Sequence, residues 1–231
     1  MVRLVVLRVF GELQWLLKDL TFGNMKFLDI DNWPRKWHFE FFSKFEEPFW
    51  GVTVEVDCTK AYEKAKAIDS SFFIYYLHKS VKAANLIEEF KYRIDEESRI
   101  VIHDSINASA TINRPDGTFG FSYIKYHDDY STFEKAAQEE INRVKNSHEL
   151  TPSNYSDNII HYSSLPWIKF TAISHARSYS INDSVPKISF GKLVSEGTQK
   201  TMPVSIHVHH GLMDGFHVGK YCELFQDLLN G

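Results

Sequence analysis

The chain alternates apolar and polar positions over residues 51–57, a run that is also rich in β-branched side chains. Alternation with a period of two places every second side chain on the same face, so this run predicts a strand with one buried face. Similar strand-like runs recur along the chain, at residues 100–103, 109–112, 118–126, 158–162, 168–174, 186–194 and 202–209. A turn sequence predicts a hairpin between the last two runs: Ser195-Glu196-Gly197-Thr198.

Longer segments between these runs space their apolar residues as helices do. They span residues 32–45, 61–90 with a break near 69–71, and 132–146. Pro34 falls in the first helical turn, where proline is tolerated, and Ser131 is the expected N-cap of the helix over 132–146. A final helix begins at Asp214 or Gly215, and its predicted buried stripe comprises Val218, Tyr221, Cys222, Phe225, Leu228 and Leu229.

Strand runs mixed with a few long helices predict an α+β fold. We expect a two-layer sandwich in which helices cover one face of a mixed, mostly antiparallel sheet. The 231 residues and 43% hydrophobic content suit one domain, and 18 phenylalanines predict an aromatic core or an aromatic-lined pocket. The net charge of −4 argues against a nucleic-acid-binding surface. Two cysteines, Cys58 and Cys222, make no disulfide framework, so we expect a reducing cytoplasm.

The first 24 residues are apolar, but charged side chains interrupt them at Arg3, Arg8, Glu12 and Lys18. No run reaches the roughly 20 apolar residues of a membrane span, and no secretory cleavage site follows, so we expect no membrane partner. An amphipathic helix over residues 12–20 is one interpretation. The one we favour makes residues 1–24 an extension upstream of a natural start at Met25, and residues 25–231 a single catalytic domain.

A histidine-rich segment joins the last strand to the last helix. His210 lies four residues before Asp214 at this turn, where a substrate can reach an imidazole with a carboxylate nearby, as suits a general base. Two alternatives stay open. Asp214 is also a favoured N-cap residue. A metal site is the third interpretation, with ligands from His207, His209, His210, His217 and Asp214; alternation along a strand argues against it, because His209 and His210 then point to opposite faces.

Three separated motifs, in order, carry a family resemblance. The segment His209-His210-Gly211-Leu212-Met213-Asp214-Gly215, followed by Phe216-His217-Val218-Gly219, resembles the signature of the chloramphenicol acetyltransferases. Segments 32–41 and 163–167 resemble two further motifs of that family, and the resemblance covers the chain from Met25 to Gly231. Dihydrolipoyl acyltransferase cores share only the shorter His-His-x-x-x-Asp-Gly form, and the absence of a lipoyl domain or an Ala/Pro-rich linker favours the antibiotic enzymes.

The resemblance implies a homotrimer with active sites between subunits, acetyl-CoA as the donor, no metal, and direct transfer to a hydroxyl of chloramphenicol, which inactivates the antibiotic. By position, His210 is the base that takes the proton of that hydroxyl. Ser163 is the donor to the oxyanion, and Asp214 pairs with Arg35 to hold the histidine loop. The alternative for Ser163 is a strand-end hydroxyl bonded to the backbone. A non-catalytic trimeric CoA-binding homologue is the alternative from another functional class.

The resemblance also implies the substrate contacts. Trp167 and Lys192 match positions near the cofactor, although a solvated strand residue is the alternative for Lys192. The implied acceptor pocket comprises Phe41, Phe42, Phe119, Ser174, His175 and Ser189. Four of these depart from the usual residues: Phe42 replaces a tyrosine, Ser174 an asparagine, His175 a leucine and Ser189 a threonine. The same chemistry on a different acceptor is therefore the alternative function.

Overall fold

A computed structural model describes residues 26–177 and 183–231 of the chain. The predictions for residues 1–24 lie outside the described residues. The strands are β1 (Lys26–Phe27), β2 (Phe49–Asp57), β3 (Tyr92–Ile94), β4 (Ile100–Ile102), β5 (Asn107–Asn113), β6 (Phe119–Phe121), β7 (Ile159–Ser164), β8 (Lys187–Phe190), β9 (Val194–Glu196) and β10 (Gln199–His209). The α-helices are α1 (Lys36–Phe42), α2 (Thr59–Ala67), α3 (Phe72–Asn85), α4 (Tyr130–Lys145) and α5 (Gly215–Asn230).

The predicted α+β fold is confirmed. The main sheet has the strand order β2-β10-β8-β7-β5-β6, and β9 pairs with β10. The β7–β8 and β5–β7 pairs are parallel and the other pairs are antiparallel, so the sheet is mixed and mostly antiparallel. A second antiparallel sheet, β1-β4-β3, was not part of the prediction. Among the described residues, each helix is too short or too polar to cross a bilayer.

The two faces of the main sheet differ in chemistry, as β10 illustrates. One set of alternate β10 residues packs into the hydrophobic core with the helices: Met202, Val204, Ile206 and Val208. Burial of each such side chain contributes about 1.5–3 kcal/mol. The opposite face, called the polar face here, carries the buried residues Lys187, Ser189, Ser205 and His209. The polar face is where the site residues of the central strands lie.

The chain that follows β7 crosses the polar face instead of forming a strand, so the strand predicted over 168–174 is wrong. Leu165 accepts from the Ile168 N–H at 3.1 Å, which closes a turn around Pro166, a residue with no N–H to donate to a sheet. Farther along, the His175 ring lies 4.9 Å from the ring of His207 on β10. This segment therefore covers the sheet.

Several element boundaries also differ from the prediction. Ser131 does not cap α4; the Asp129 carboxylate accepts from the Thr132 N–H at 2.9 Å and starts the helix one residue after itself. The first helix is confined to α1, and the run over 118–126 is a strand only in β6. The predicted break near 69–71 lies between α2 and α3, and Gly197 occupies the predicted hairpin turn with a φ of +61°.

Candidate active site

The turn that joins β10 to α5 carries His210. Residues 210–214 make this connection. The backbone N–H of His210 donates to the Pro48 carbonyl at 2.8 Å, and that of Met213 donates to the His209 carbonyl at 3.0 Å. The first bond extends the pairing of β10 with β2 beyond the strand, and the second closes the turn. These two hydrogen bonds therefore fix the backbone that carries the imidazole.

The half-buried ring of His210 has a defined orientation and tautomer. Its Nδ1 lies 3.3 Å from the Met213 carbonyl oxygen, which also accepts from Trp50 Nε1 at 3.1 Å. A carbonyl only accepts, so Nδ1 carries a proton, and in the neutral ring the lone pair is on Nε2. The ring is stacked on Phe42 with centroids 3.9 Å apart, and the Trp50 ring lies 5.4 Å away. Nε2 is thus the atom that can take a proton from a substrate.

Asp214 acts as the N-cap of α5 and as the partner of Arg35 at the same time. Its Oδ1 accepts from the Phe216 N–H at 3.0 Å, while Oδ2 accepts from Arg35 Nη1. The second guanidinium nitrogen, Nη2, donates to the His210 carbonyl at 3.3 Å. Burial raises the pKa of Asp214, but the hydrogen bond and charge of Arg35 outweigh it and hold this pKa below its ordinary value. Arg35 therefore ties the backbone of His210 to the cap of the following helix.

The other two histidines of β10 occupy separate environments. Nδ1 of His209 accepts from the Gly211 N–H at 3.1 Å, and burial lowers the pKa of His209 to about 4. The His207 ring contacts His175, on the polar face of the sheet. Within the described residues, no three or more His, Cys, Asp or Glu side chains are grouped so that they could hold a metal ion. The metal-site interpretation therefore has no support in this part of the chain.

Ser163 lies on β7, in the middle of the sheet. It is the register partner of Ser189 on β8, which in turn is opposite Ser205 on β10. All three hydroxyls belong to the polar face. Ser189 is fully buried, and its Oγ has no hydrogen-bond partner within the described residues. Leaving a buried hydroxyl unpaired costs about 1–3 kcal/mol, so Ser189 is suited to bind a polar group of a ligand.

Ser163 and His210 do not meet within one chain. Ser163 is level with Ser205, two strands across the sheet, whereas His209 lies four residues farther along β10. With about 3.3 Å per residue and 4.8 Å per strand, the Cα atoms of Ser163 and His209 are roughly 16 Å apart. The residues assigned to catalysis thus form two groups in a single chain, one around His210 with Arg35 and the other around Ser163.

The expected acceptor-pocket residues are divided in the same way. Phe42 and Phe41 lie with the His210 group, and Phe41 is 58% exposed with its ring 5.1 Å from that of Phe42. Phe119 lies on β6, the opposite edge of the sheet, and is 46% exposed. His175 lies against His207, and Ser174 is exposed beside it.

A cavity of about 500 Å³ opens where the parallel strands end. Its walls come from α3, α4 and the carboxyl ends of β5, β7 and β8. Its polar lining residues are Ser71, Tyr76, Thr111, Asn113, Gln138, Lys145 and Ser164. The hydroxyl groups of Tyr76 and Ser164 lie 3.1 Å apart on this wall. Trp167 and Lys192 are both exposed and adjoin the cavity-lining residues Pro166 and Gly191.

Trp50 lies against His210 and Tyr76 lines the cavity, and the sequence offers no local signal for either. Trp50 precedes an alternating strand and Tyr76 lies in a helical stripe, so each fits an ordinary core position. Their partners, the carbonyl of Met213 and the hydroxyl of Ser164, are distant in sequence. Only the pairing of β2 with β10 and the packing of α3 on the sheet bring them together.

Comparisons with known proteins connect this arrangement to one family. The sequence model of the chloramphenicol acetyltransferase family matches residues 23–226. A chloramphenicol acetyltransferase of Escherichia coli is 28% identical over 207 residues, which cover 86% of this chain and 94% of that protein. One of Proteus mirabilis is 29% identical over 194 residues, which cover 84% of this chain and 89% of its own length.

Solved structures agree with the sequence matches. A structure named chloramphenicol acetyltransferase superposes with a TM-score of 0.82 at 31% identity, covering 89% of this chain and all of its own. A dihydrolipoamide acetyltransferase of Azotobacter vinelandii superposes with a TM-score of 0.59 at 16% identity, covering 79% of this chain and 82% of that one. The second likeness concerns the fold alone.

Proposed function

This chain belongs to the chloramphenicol acetyltransferase family, and on that premise we propose that it transfers the acetyl group of acetyl-CoA to a hydroxyl of chloramphenicol. The observation that carries the proposal is the state of His210. The Met213 carbonyl holds Nδ1, which leaves the Nε2 lone pair for the acceptor hydroxyl. Phe42 and Trp50 fix the plane of the ring.

The proposed reaction has two steps and no acyl-enzyme. Nε2 of His210 takes the proton of the acceptor hydroxyl as its oxygen attacks the thioester carbonyl carbon. The Ser163 hydroxyl donates to the negatively charged oxygen of the tetrahedral intermediate, a contribution of about 3–4 kcal/mol in comparable sites. The intermediate then expels the CoA thiolate, which receives the proton from the imidazolium. The products are the acetyl ester and free CoA thiol.

The separation of Ser163 from His210 supports a site shared between two copies of the chain. We place Ser163 of one copy beside His210 of the next, in a homotrimer whose three interfaces each hold one site. Large aromatic side chains next to the His210 group are exposed in the single chain: Trp37 is 75%, Phe41 58% and Phe45 46% accessible. A neighbouring subunit that covers them would bury a sizeable apolar surface.

Acetyl-CoA is the proposed donor, and the cavity at the carboxyl ends of the parallel strands is its proposed site. The pantetheine arm alternates amide groups with short apolar segments. The cavity offers matching groups, with side-chain amides on Asn113 and Gln138 and apolar surface on Ile112 and Leu193. Lys145 on its wall and the exposed Lys192 provide positive charge for the phosphates. Trp167 is the proposed flat contact for the arm.

The acceptor is proposed to lie between Phe41 and Phe42 of one group and Ser189 of the other, with Ser174, His175 and Phe119 completing the pocket. A different acceptor alcohol is the second candidate. It is favoured by the pair of imidazoles on the polar face, where burial lowers the pKa of His175 to about 4 and keeps its ring neutral. Neutral imidazoles both donate and accept hydrogen bonds, which suits a more polar acceptor.

The decisive experiment measures thiol release from acetyl-CoA by the purified protein with and without chloramphenicol. We expect acceptor-dependent turnover that His210→Ala lowers by several orders of magnitude, with the oligomer intact by sedimentation. Turnover on another alcohol but not on chloramphenicol would select the second candidate. Binding of CoA without turnover on any alcohol would indicate a non-catalytic homologue and reject both.

A further inference from the structure

Four side chains lie end to end behind the loop of His210. In order they are Arg35, Asp214, His217 and Glu89. The first two belong to the machinery already described. His217 lies in the first turn of α5, and Glu89 lies in a short 3-10 helix at Glu88–Lys91, between α3 and β3.

His217 holds the carboxylate of Asp214 from a third side. Its Nδ1 lies 2.9 Å from Asp214 Oδ1, while the Phe216 N–H binds the same oxygen and Arg35 binds the other. The Asp214 backbone N–H points at the same Nδ1 atom at 3.2 Å, so Nδ1 donates to Oδ1 when it carries a proton and accepts from this N–H when it does not. His217 is only 9% exposed, so its ring has little freedom to turn. In either tautomer His217 is bonded to Asp214, while Arg35 and the Phe216 N–H hold the two carboxylate oxygens.

Glu89 holds the far side of the same imidazole. Its Oε1 lies 3.5 Å from His217 Nε2, and the interaction with His217 lowers the pKa of Glu89. The 3-10 helix itself is anchored on α5, because the buried ring of Phe90 stacks on that of Tyr221 with centroids 5.1 Å apart. Both ring nitrogens of His217 therefore face a carboxylate oxygen.

A contact in the core joins the two ends of this line of four side chains. Tyr92, at the end of the 3-10 helix, packs edge-on against Trp33 with centroids 6.0 Å apart. Trp33 lies two residues before Arg35, where the line begins. Three chain segments, residues 33–35, 89–92 and 210–217, thus contact one another in turn and hold the loop of His210 between them. His217 and Glu89 supply the contact between the second segment and the third.

We infer that His217 and Glu89 are positioning residues for the acetyl-transfer reaction. They lock the Asp214 carboxylate in the orientation that directs Arg35 at the His210 carbonyl, and in this way they set the place of the Nε2 atom. This inference rests on the proposed role of His210 as the base. Displacing a reacting group by about 1 Å costs up to roughly a hundredfold in rate, so a loosened Asp214 would be visible in turnover.

Two amide substitutions at position 217 separate the contacts. The side-chain amide of asparagine reaches the place of Nδ1, and that of glutamine reaches the place of Nε2. His217→Asn therefore keeps the bond to Asp214, whereas His217→Gln keeps only the bond to Glu89. Glu89→Gln removes the charge at the end of the line. Glu88→Gln, in the same short helix, is the matched control, because the amide oxygen of glutamine still accepts from the Tyr92 hydroxyl and the contact with Trp33 is kept.

We expect His217→Gln to lower kcat about tenfold to a hundredfold, with KM for both substrates within about twofold of wild type. His217→Asn should recover most of that loss, Glu89→Gln should give a smaller fall than His217→Gln, and Glu88→Gln should leave kcat unchanged. A purely structural role predicts a lower melting temperature with normal kcat per folded molecule. That result for His217→Gln, or equal losses in the Asn and Gln variants, would overturn the inference.

A second readout does not depend on acetyl transfer. The rate at which diethyl pyrocarbonate modifies His210, followed by peptide mass spectrometry, reports the accessibility and orientation of Nε2 in the resting protein. We expect this rate to change in His217→Gln and to match wild type in Glu88→Gln. If His210→Ala retains full turnover, the proposed function fails while this measurement still decides whether His217 positions the ring. An unchanged modification rate in His217→Gln contradicts the inference in either case.

Discussion

The phenyl ring of Phe42 lies flat on the imidazole of His210, with centroids 3.9 Å apart and planes 18° apart. Phe42 is the last residue of α1, and Arg35 immediately precedes the first turn of that helix. The short helix α1 thus ends in the phenyl ring that stacks on the imidazole of His210. The guanidinium of Arg35, at its start, donates to the backbone carbonyl of the same histidine. Phe42 and Arg35 therefore both contact His210, and each contact can be tested by substitution.

Removing the phenyl ring of Phe42 should lower turnover. An aromatic pair is worth about 0.5–1.5 kcal/mol beyond its buried area, so we expect Phe42→Ala to lower kcat by roughly twofold to tenfold. Phe42→Tyr keeps the ring and should keep kcat, and Phe42→Leu, which restores volume without a flat face, should resemble Ala. Steady-state kinetics with both substrates saturating measures the effect. Equal kcat for the Ala and Tyr variants would show that the stacking does not orient the base.

The Arg35–Asp214 pair should make stability depend on acid pH in a particular direction. The pKa of the Asp214 carboxyl is held below its ordinary value in the folded chain, so the ionised pair stabilises the fold at pH values above that ordinary pKa. The contribution is lost as pH falls through the folded pKa. We expect the difference in unfolding free energy between wild type and Asp214→Asn to be constant from neutral pH to about pH 5 and to shrink below it. Urea titrations at fixed protein concentration measure it.

The control for that series is Asp227→Asn, which removes an exposed carboxylate from the same helix, α5. The difference between wild type and this variant should not follow the acid profile of the Asp214 variant. If Asp214→Asn differs from wild type by the same amount at pH 3 as at pH 7, the pair does not contribute in the way described.

Arg93 should contribute strongly to stability. Its fully buried guanidinium donates to four backbone carbonyls, those of Phe90, Tyr92, Asp157 and Ile159. An orphaned buried acceptor costs about 1–3 kcal/mol, so Arg93→Met should lose at least about 3 kcal/mol of unfolding free energy. Arg99→Met, at an exposed position, is the control. Thermal and urea unfolding measure the loss, and a change below 1 kcal/mol would contradict this account.

The turn from β10 into α5 was predictable because its signals are local. A strand that ends in His209, a glycine two residues later and an aspartate before the helix all lie within seven positions, and the structure places the strand end and the helix start there. The cap of α4 differs from the predicted Ser131 for a related reason. Ser131 and Asp129 are both good capping residues two positions apart, and only the bond from Thr132 to Asp129 distinguishes them.

Contacts between distant segments left no such signal. Phe42 and His210 are 168 positions apart, and Glu89 and His217 are 128 apart. Neither pair has a spacing that a helix or a strand would repeat. In the run over 168–174 a local signal is present but misleading, because its apolar and β-branched residues suit a strand. The turn at Pro166 instead sends this segment across the polar face. Pairing and packing override propensity in such places.

A mixing experiment tests whether each site is shared by two copies. Ser163→Ala and His210→Ala are each expected to be nearly inactive. For Ser163→Ala we expect kcat to fall about a hundredfold to a thousandfold. Unfolded together at equal amounts and refolded, they form mixed oligomers. A shared interface then unites an intact His210 from one copy with an intact Ser163 from the next in about one site in four, since each choice is made at random.

We therefore expect the co-refolded mixture to recover up to about a quarter of the wild-type activity per site, whereas the two variants refolded separately and then combined recover almost none. Thiol release from acetyl-CoA with chloramphenicol measures both. The separately refolded pair controls for activity of either parent. A site built within one chain predicts that both mixtures stay at the average of the parents, because no single chain then carries both side chains. Sedimentation of the mixture must show the same oligomer as wild type, so that a failure to assemble is not mistaken for a failure to complement.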